Sequence, residues 1–150
     1  MNSRFIDTEQ ARGMAIKYLG GLPLPFHMTI SEGNKRSLKQ NRLQFKWIAD
    51  IARDLPQEDR DGWQRFCKLN FGVPVRRLHD EEFREVYDTH IRPFSYETKL
   101  EMMGAPIDLP VTRDLNVKPM AEYLTKIRDH FTELGVELTD PDQFGLDHNL

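Results

Sequence analysis

Between Lys35 and Trp47 the chain carries five basic residues, Lys35, Arg36, Lys39, Arg42 and Lys46, and no acid. Outside that window the remaining 16 of 21 Lys and Arg residues are outnumbered by 24 Asp and Glu. A fixed cluster of ammonium and guanidinium groups neutralises phosphates, and the affinity it produces is salt-sensitive and largely independent of sequence. At about 100° per residue Lys39, Arg42, Lys46 and Arg53 fall within roughly 60° of one another, so on a helix they form one stripe. A merely solvated helix face is the bland alternative. Against it stand the absence of any acid at helical spacing before Asp50, the persistence of the cluster in a protein of net charge -3, and the polar amides beside it.

No other pattern competes. The five histidines, His27, His79, His90, His130 and His148, form no pair at metal-ligand spacing, and Asp88 and His90, two apart, point to different faces of a helix. There is no G-x-G-x-x-G, Walker A or G-x-S-x-G pattern. Ser37 has no histidine near it in sequence, and no carboxylate pair stands out. Cys67 is the only cysteine, which excludes an intrachain disulfide and a cysteine-built zinc site and suits a reducing compartment. The residues make no positive case for an enzyme and ask for no cofactor.

The element that must position the stripe starts at Ser37. Ser37 followed by Gln40 is a capping box, in which the hydroxyl takes a free N-H of the first turn and the amide reaches back to the cap. The helix runs to Leu55-Pro56. Its opposite arc holds Leu38, Phe45, Trp47, Ile48, Ile51, Ala52 and Leu55, as an amphipathic core helix requires, so Trp47 reads as core rather than as a base-stacking platform. Gln40, Asn41 and Gln44 also point into that arc. Buried amides are costly unless paired, so they are expected to cap backbone, line a polar interface or face a ligand.

Before the stripe, Phe5 and Ile6 are expected to open a short strand. Thr8 caps a helix with Ala11, Met14, Ala15, Tyr18 and Leu19 on one side, Gly20 and Gly21 end it, and F-H-M-T-I from Phe26 to Ile30 alternates as a half-buried strand. Gly33 and Asn34 suit a loop. Beyond Pro56 the pattern predicts a helix from about Asp59 to Asn70, closed by Gly72, Val73 and Pro74, with Arg76 and Arg77 just past the break. A helix follows with Asp80, Glu81 and Glu82 in its first turn and Phe83, Val86, Tyr87, His90 and Ile91 as its stripe. A short helix spans Tyr96 to Met103, and a proline-bearing extended segment leads to a helix from Asn116 with Met120, Leu124, Ile127, Phe131 and Leu134 inward and Gly135 as its stop. From Glu133 onward come five acids and no Lys or Arg. About 139-150 this reads as a flexible acidic tail, able to compete with a polyanion for the basic helix.

At 150 residues, 10% aromatic and 30% charged, the chain reads as a single domain over 1-150. The fold class expected is α+β, mostly helical with a small N-terminal β-sheet. No apolar run suffices for a signal peptide or a membrane span, and the expected localisation is cytoplasmic.

The run T-I-S-E-G-N-K-R-S-L-K-Q-N-R-L, with Arg36, Ser37, Gln40 and Asn41 as its R-S-x-x-Q-N core, resembles the signature of the phage NinB (Orf) recombination proteins. Weaker similarity continues through W-Q-R-F-C-K from Trp63, V-T-R-D-L-N-V-K-P-M-A-E-Y-L from Val111, and G-V-E-L. The F-G-V-P-V-R-R-L-H-D-E-E-F-R-E-V-Y-D segment departs from that pattern in being longer and more helical. The resemblance implies a homodimeric recombination accessory or mediator protein that binds single-stranded or gapped DNA, helps load a recombinase or annealing protein and contacts the single-strand-binding protein of the host. Within that reading Lys35, Arg36, Lys39, Gln40, Asn41, Arg42 and Lys46 form the DNA-facing element, joined by Arg76 and Arg77. A non-enzymatic adaptor that docks an acidic peptide of a single-strand-binding protein is the alternative, and a nucleic-acid enzyme is a third for which no residue pattern speaks.

Overall fold

The computed structural model describes residues 4, 6–30 and 37–150, in two compact units, Met1–Glu32 and Gly33–Leu150. In the first, α1 (Glu9–Gly20) starts where the Thr8 hydroxyl accepts a hydrogen bond from the Ala11 N-H. None of its residues is buried: of the stripe expected to pack, Met14 and Tyr18 are exposed and Ala11, Ala15 and Leu19 half-buried. Phe26 to Ile30 is irregular. Among the described residues there is no strand, only an isolated bridge position at Asn116, so the expected small N-terminal β-sheet is corrected to a helical architecture. Alternation alone does not make a strand, because its backbone groups need a neighbouring ladder. The Phe5 half of the expected pair lies outside the described residues.

The second unit is organised around α2 (Leu38–Asp54). Its start is the predicted capping box: Ser37 Oγ accepts from Gln40 N at 3.0 Å, and Gln40 Oε1 accepts from Ser37 N at 3.0 Å. Leu43, Trp47, Ile48 and Ile51 meet Met120, Tyr123, Leu124, Ile127 and Phe131 of α7 (Val117–Glu133) in the main core. Gly135, at φ 85°, follows α7 in the left-handed region that favours glycine.

Between them lies a rod in which α3 (Arg60–Cys67), a π turn (Lys68–Gly72) and α4 (Val73–His79) follow without a break. The break expected at Gly72-Val73-Pro74 is absent. Val73 N-H reaches back to Lys68 O, and this wider turn takes up the Pro74 ring that would clash in a regular α-helix. Cys67 and Val75 face the main core, whereas Leu69 and Val73 face a second cluster with Tyr87 of α5 (Glu81–His90), Met103 and Val111. Burial pushes the Cys67 thiol well above its ordinary range, so it is an inert core residue. Leu100 of α6 (Tyr96–Met102) also packs on that cluster. Gly72 lies where the rod passes the 111–112 segment: a Cβ there would stand 2.9 Å from Thr112 Cγ2 and 3.2 Å from Val111 Cγ1. Overpacking of that kind costs about 1–3 kcal/mol against a helix-propensity gain of at most ~1 kcal/mol. Gly72→Ala is therefore expected to lower stability by about 1 kcal/mol in urea unfolding.

The acidic tail is docked. Val136 and Leu150 belong to the main core, and Leu138, Phe144 and Leu146 pack on it. A 3-10 turn, Pro141–Phe144, interrupts the segment, with Pro141 buried.

Candidate nucleic-acid interface

One side of α2 is fixed by the tail, which runs antiparallel to it. Arg53 Nη2 donates to Glu137 O at 2.9 Å, and Glu137 N donates to Asp54 at 3.0 Å. Trp47 Nε1 donates to Thr139 O at 2.7 Å, and the buried Asp50 carboxylate accepts from Thr139 N and Oγ1 at 2.8 and 2.7 Å. Gly145 passes the Lys39 side chain, and Gln40 Nε2 donates to Leu150 O at 2.8 Å. The Arg53 guanidinium and the Glu137 N-H hold the Asp54 carboxyl at about 2. Its contribution is present above the ordinary carboxylate value and is lost as pH falls toward 2, so this end of the clasp is intact at neutral pH.

Of the expected site residues, Lys35 and Arg36 lie outside the described residues. Lys39 and Arg42 are exposed on adjacent turns of α2, and among the described residues no ion pair forms at either. Lys46 is half exposed and shares Asp50 with Arg53, each at 3.3 Å. The stripe is thus present, with its N-terminal half uncompensated and its C-terminal half tied to acids.

Gln40 faces inward with no exposed surface. Its amide also donates to Val117 O at 3.0 Å, so both of its ends are committed to the protein and it holds the first turns of α2 and α7 together. Asn41 is half-buried, and its Oδ1 is buried without a hydrogen bond. Arg76 is 15% exposed, pairs with Asp80 and Asp114, donates to the Pro110 and Val111 carbonyls and lies over the Phe83 ring. Arg77 grips Asp88 through two bonds of 2.8 Å, which raises the guanidinium pKa and lowers that of the carboxyl. Both arginines brace the rod against its neighbours. A guanidinium already in a bidentate pair has no free fork for a phosphate.

Three residues join the surface beyond those the sequence points to. Phe45 is 53% exposed and Leu38 74% exposed, although both fall on the apolar arc of the helical wheel. They lie at its far edge, past the angle that the core covers, so the solvent face of α2 is two parallel strips. Asn41, Ala52, Phe45, Leu38 and Ala49 make one, and Arg42, Arg53, Lys46 and Lys39 the other. The third residue is Lys118, exposed in the first turn of α7, which the Gln40 bond to Val117 places beside the first turn of α2. Neither first turn contains an acid. Cations at a helix N-terminus oppose the dipole, and that misfit was legible in V-K-P-M. Two positive helix ends and the cations of their first turns therefore concentrate positive potential at one end of the unit, the arrangement that attracts anions. Among the described residues no group of three or more His, Cys, Asp or Glu could hold a metal ion, and no helix is long and apolar enough to cross a membrane.

Comparison with protein-family models, with curated proteins and with solved structures finds no match for this chain.

Proposed function

We propose that the protein is a nucleic-acid-binding accessory factor of the phage NinB kind, which takes single-stranded or gapped DNA on the exposed face of α2 and assists recombinase loading in the host cytoplasm as a homodimer that also contacts the host single-strand-binding protein. One observation carries the reading: Lys39 and Arg42 stand free on adjacent turns, whereas Lys46, Arg53, Arg65, Lys68, Arg76 and Arg77 each meet a carboxylate. A pair of uncompensated cations is the part of the surface that gains most from meeting phosphates. Lys118 and the two helix ends extend the same field.

Anisotropy titration of a short single strand and its duplex at two salt concentrations tests this. Affinity for the single strand is expected to fall steeply with salt. Lys39→Ala with Arg42→Ala should reduce the slope of log K against log salt by about 1.4, which is roughly 0.7 for each phosphate no longer neutralised, with affinity down roughly tenfold near 0.1 M salt. Salt-independent binding, or an unchanged slope in the double variant, overturns the reading. Binding of an acidic peptide with no DNA affinity at all would replace it with the adaptor.

A further inference from the structure

We propose that Phe45 is a base-stacking platform that makes the α2 surface selective for unpaired bases; this rests on the proposed function and adds to it the residue that tells bases from phosphates. The ring is half exposed in a strip with Leu38, and the cationic strip runs alongside it. Lys46 is its neighbour in sequence, and Arg42 is three residues away on the same helix.

That juxtaposition matches one kind of polymer. A single strand carries flat apolar faces and phosphates in alternation, and proteins that hold it combine an aromatic ring under a base with cations along the backbone. In a duplex the base faces are occupied by their neighbours, so an exposed ring offers it nothing while the cations still meet its phosphates. The two strips thus separate two terms of binding: Lys39 and Arg42 supply affinity for any strand, and Phe45 discriminates. A second copy of the chain fits the strip less well. Leu38 and Phe45 are the only large apolar groups on it, and a two-fold contact would set uncompensated cations against their own images.

The experiment compares a short labelled oligothymidylate with an abasic strand of the same length, which keeps the phosphates and removes the bases. Wild type is expected to prefer the thymidylate by about tenfold. Phe45→Ala and Phe45→Leu should abolish that preference while leaving duplex affinity and the salt slope unchanged, because no charge is altered, and Phe45→Trp should keep it. The exposed position makes all three variants safe for folding. Equal binding of the two strands by wild type overturns this inference and leaves the phosphate-binding surface standing; binding of neither strand overturns both. A thymidylate preference that survives Phe45→Ala also overturns it, and where the same variant changes the oligomeric state in sedimentation, the strip joins copies of the chain instead.

Discussion

Gln40→Glu is expected to destabilise the second unit by about 4 kcal/mol, read as a fall of roughly 8–16 °C in thermal unfolding. The side chain has no exposed surface, and the substitution changes one atom. Gln40 Oε1 accepts from Ser37 N, which a carboxylate oxygen would still do. On the other side Nε2 donates to Val117 O and Leu150 O at 3.0 and 2.8 Å, and there an oxygen would face two acceptor oxygens. Two hydrogen bonds are lost, and a charge is buried with no partner, a cost of about 3–5 kcal/mol. The introduced carboxyl would be protonated more readily in the folded protein than in the unfolded chain. Its penalty is therefore largest at neutral pH, shrinks as pH falls from the raised folded value toward the ordinary carboxylate value of about 4.3, and changes no further below it. Gln40→Leu, which removes the bonds without adding charge, should fall between wild type and Gln40→Glu. Equal stability of the three proteins would mean that the amide does not join α2 to α7 and the tail.

The same residue shows what the sequence could and could not carry. Its place on the helical wheel marks it as a buried amide in need of partners, and its partners are indeed backbone. Their positions, 77 and 110 residues away in the chain, follow from tertiary contacts that no local pattern encodes. Local signals suffice where one element decides its own shape: the Ser37 box, the Thr8 cap, the inward face of α7 as far as Phe131, with the expected Leu134 exposed, and the turn at Gly135. They fall short where a neighbour decides. Pro74 has the pattern of a helix end, yet the π turn carries the rod through it. Arg77 reads as a free cation because Asp88, eleven residues on, is at no spacing that announces a pair, and Arg76 does so because the break expected at Pro74 separates it from a helix in which Asp80 is its i,i+4 partner.

The site divides along the same line. Lys39 and Arg42 are legible as exposed because a run without acids in it has no local way to be neutralised. Phe45 and Leu38 are not, because a wheel gives only the angle of a side chain, whereas burial depends on how wide an arc the partner covers. Here the core covers the arc centred on Leu43, Trp47 and Ile51 and stops short of Phe45. The alternating Phe26 to Ile30 fails as a strand for the reason that Phe45 fails as core, since each needs an opposite surface that its own pattern cannot supply.

Truncation after Leu138 is expected to cost more than about 3 kcal/mol, a loss of ~10 °C or more in melting temperature, and to remove nucleic-acid binding along with the fold of α2. A flexible acidic terminus would predict no loss of stability and a rise in affinity. The difference lies in what residues 139–150 touch. Without them the Trp47 indole loses Thr139 O, Asp50 loses both donors from Thr139, and Gln40 loses Leu150 O. The faces of α2 and α7 beneath Phe144, Leu146 and Leu150 are laid open to water, and apolar area returned to water costs about 25 cal/mol per Å2. Deletion therefore cannot isolate the tail's charge. Asp140→Asn, Asp142→Asn and Asp147→Asn together can, because each asparagine keeps an acceptor oxygen for the turn bonds that Asp140 and Asp147 make to Asp142 N and Asn149 N. Asp142 O accepts from Gly145 N, and Gly145 passes Lys39, so the segment that carries Asp142 runs beside that ammonium, and charges on it are screened over a Debye length of about 10 Å at 0.1 M salt. The triple variant is expected to melt near the wild-type temperature and to bind a single strand a few-fold more tightly at low salt, with the gain gone near 1 M salt, where that length is about 3 Å. Unchanged low-salt affinity in a stably folded triple variant would assign the tail to the fold alone.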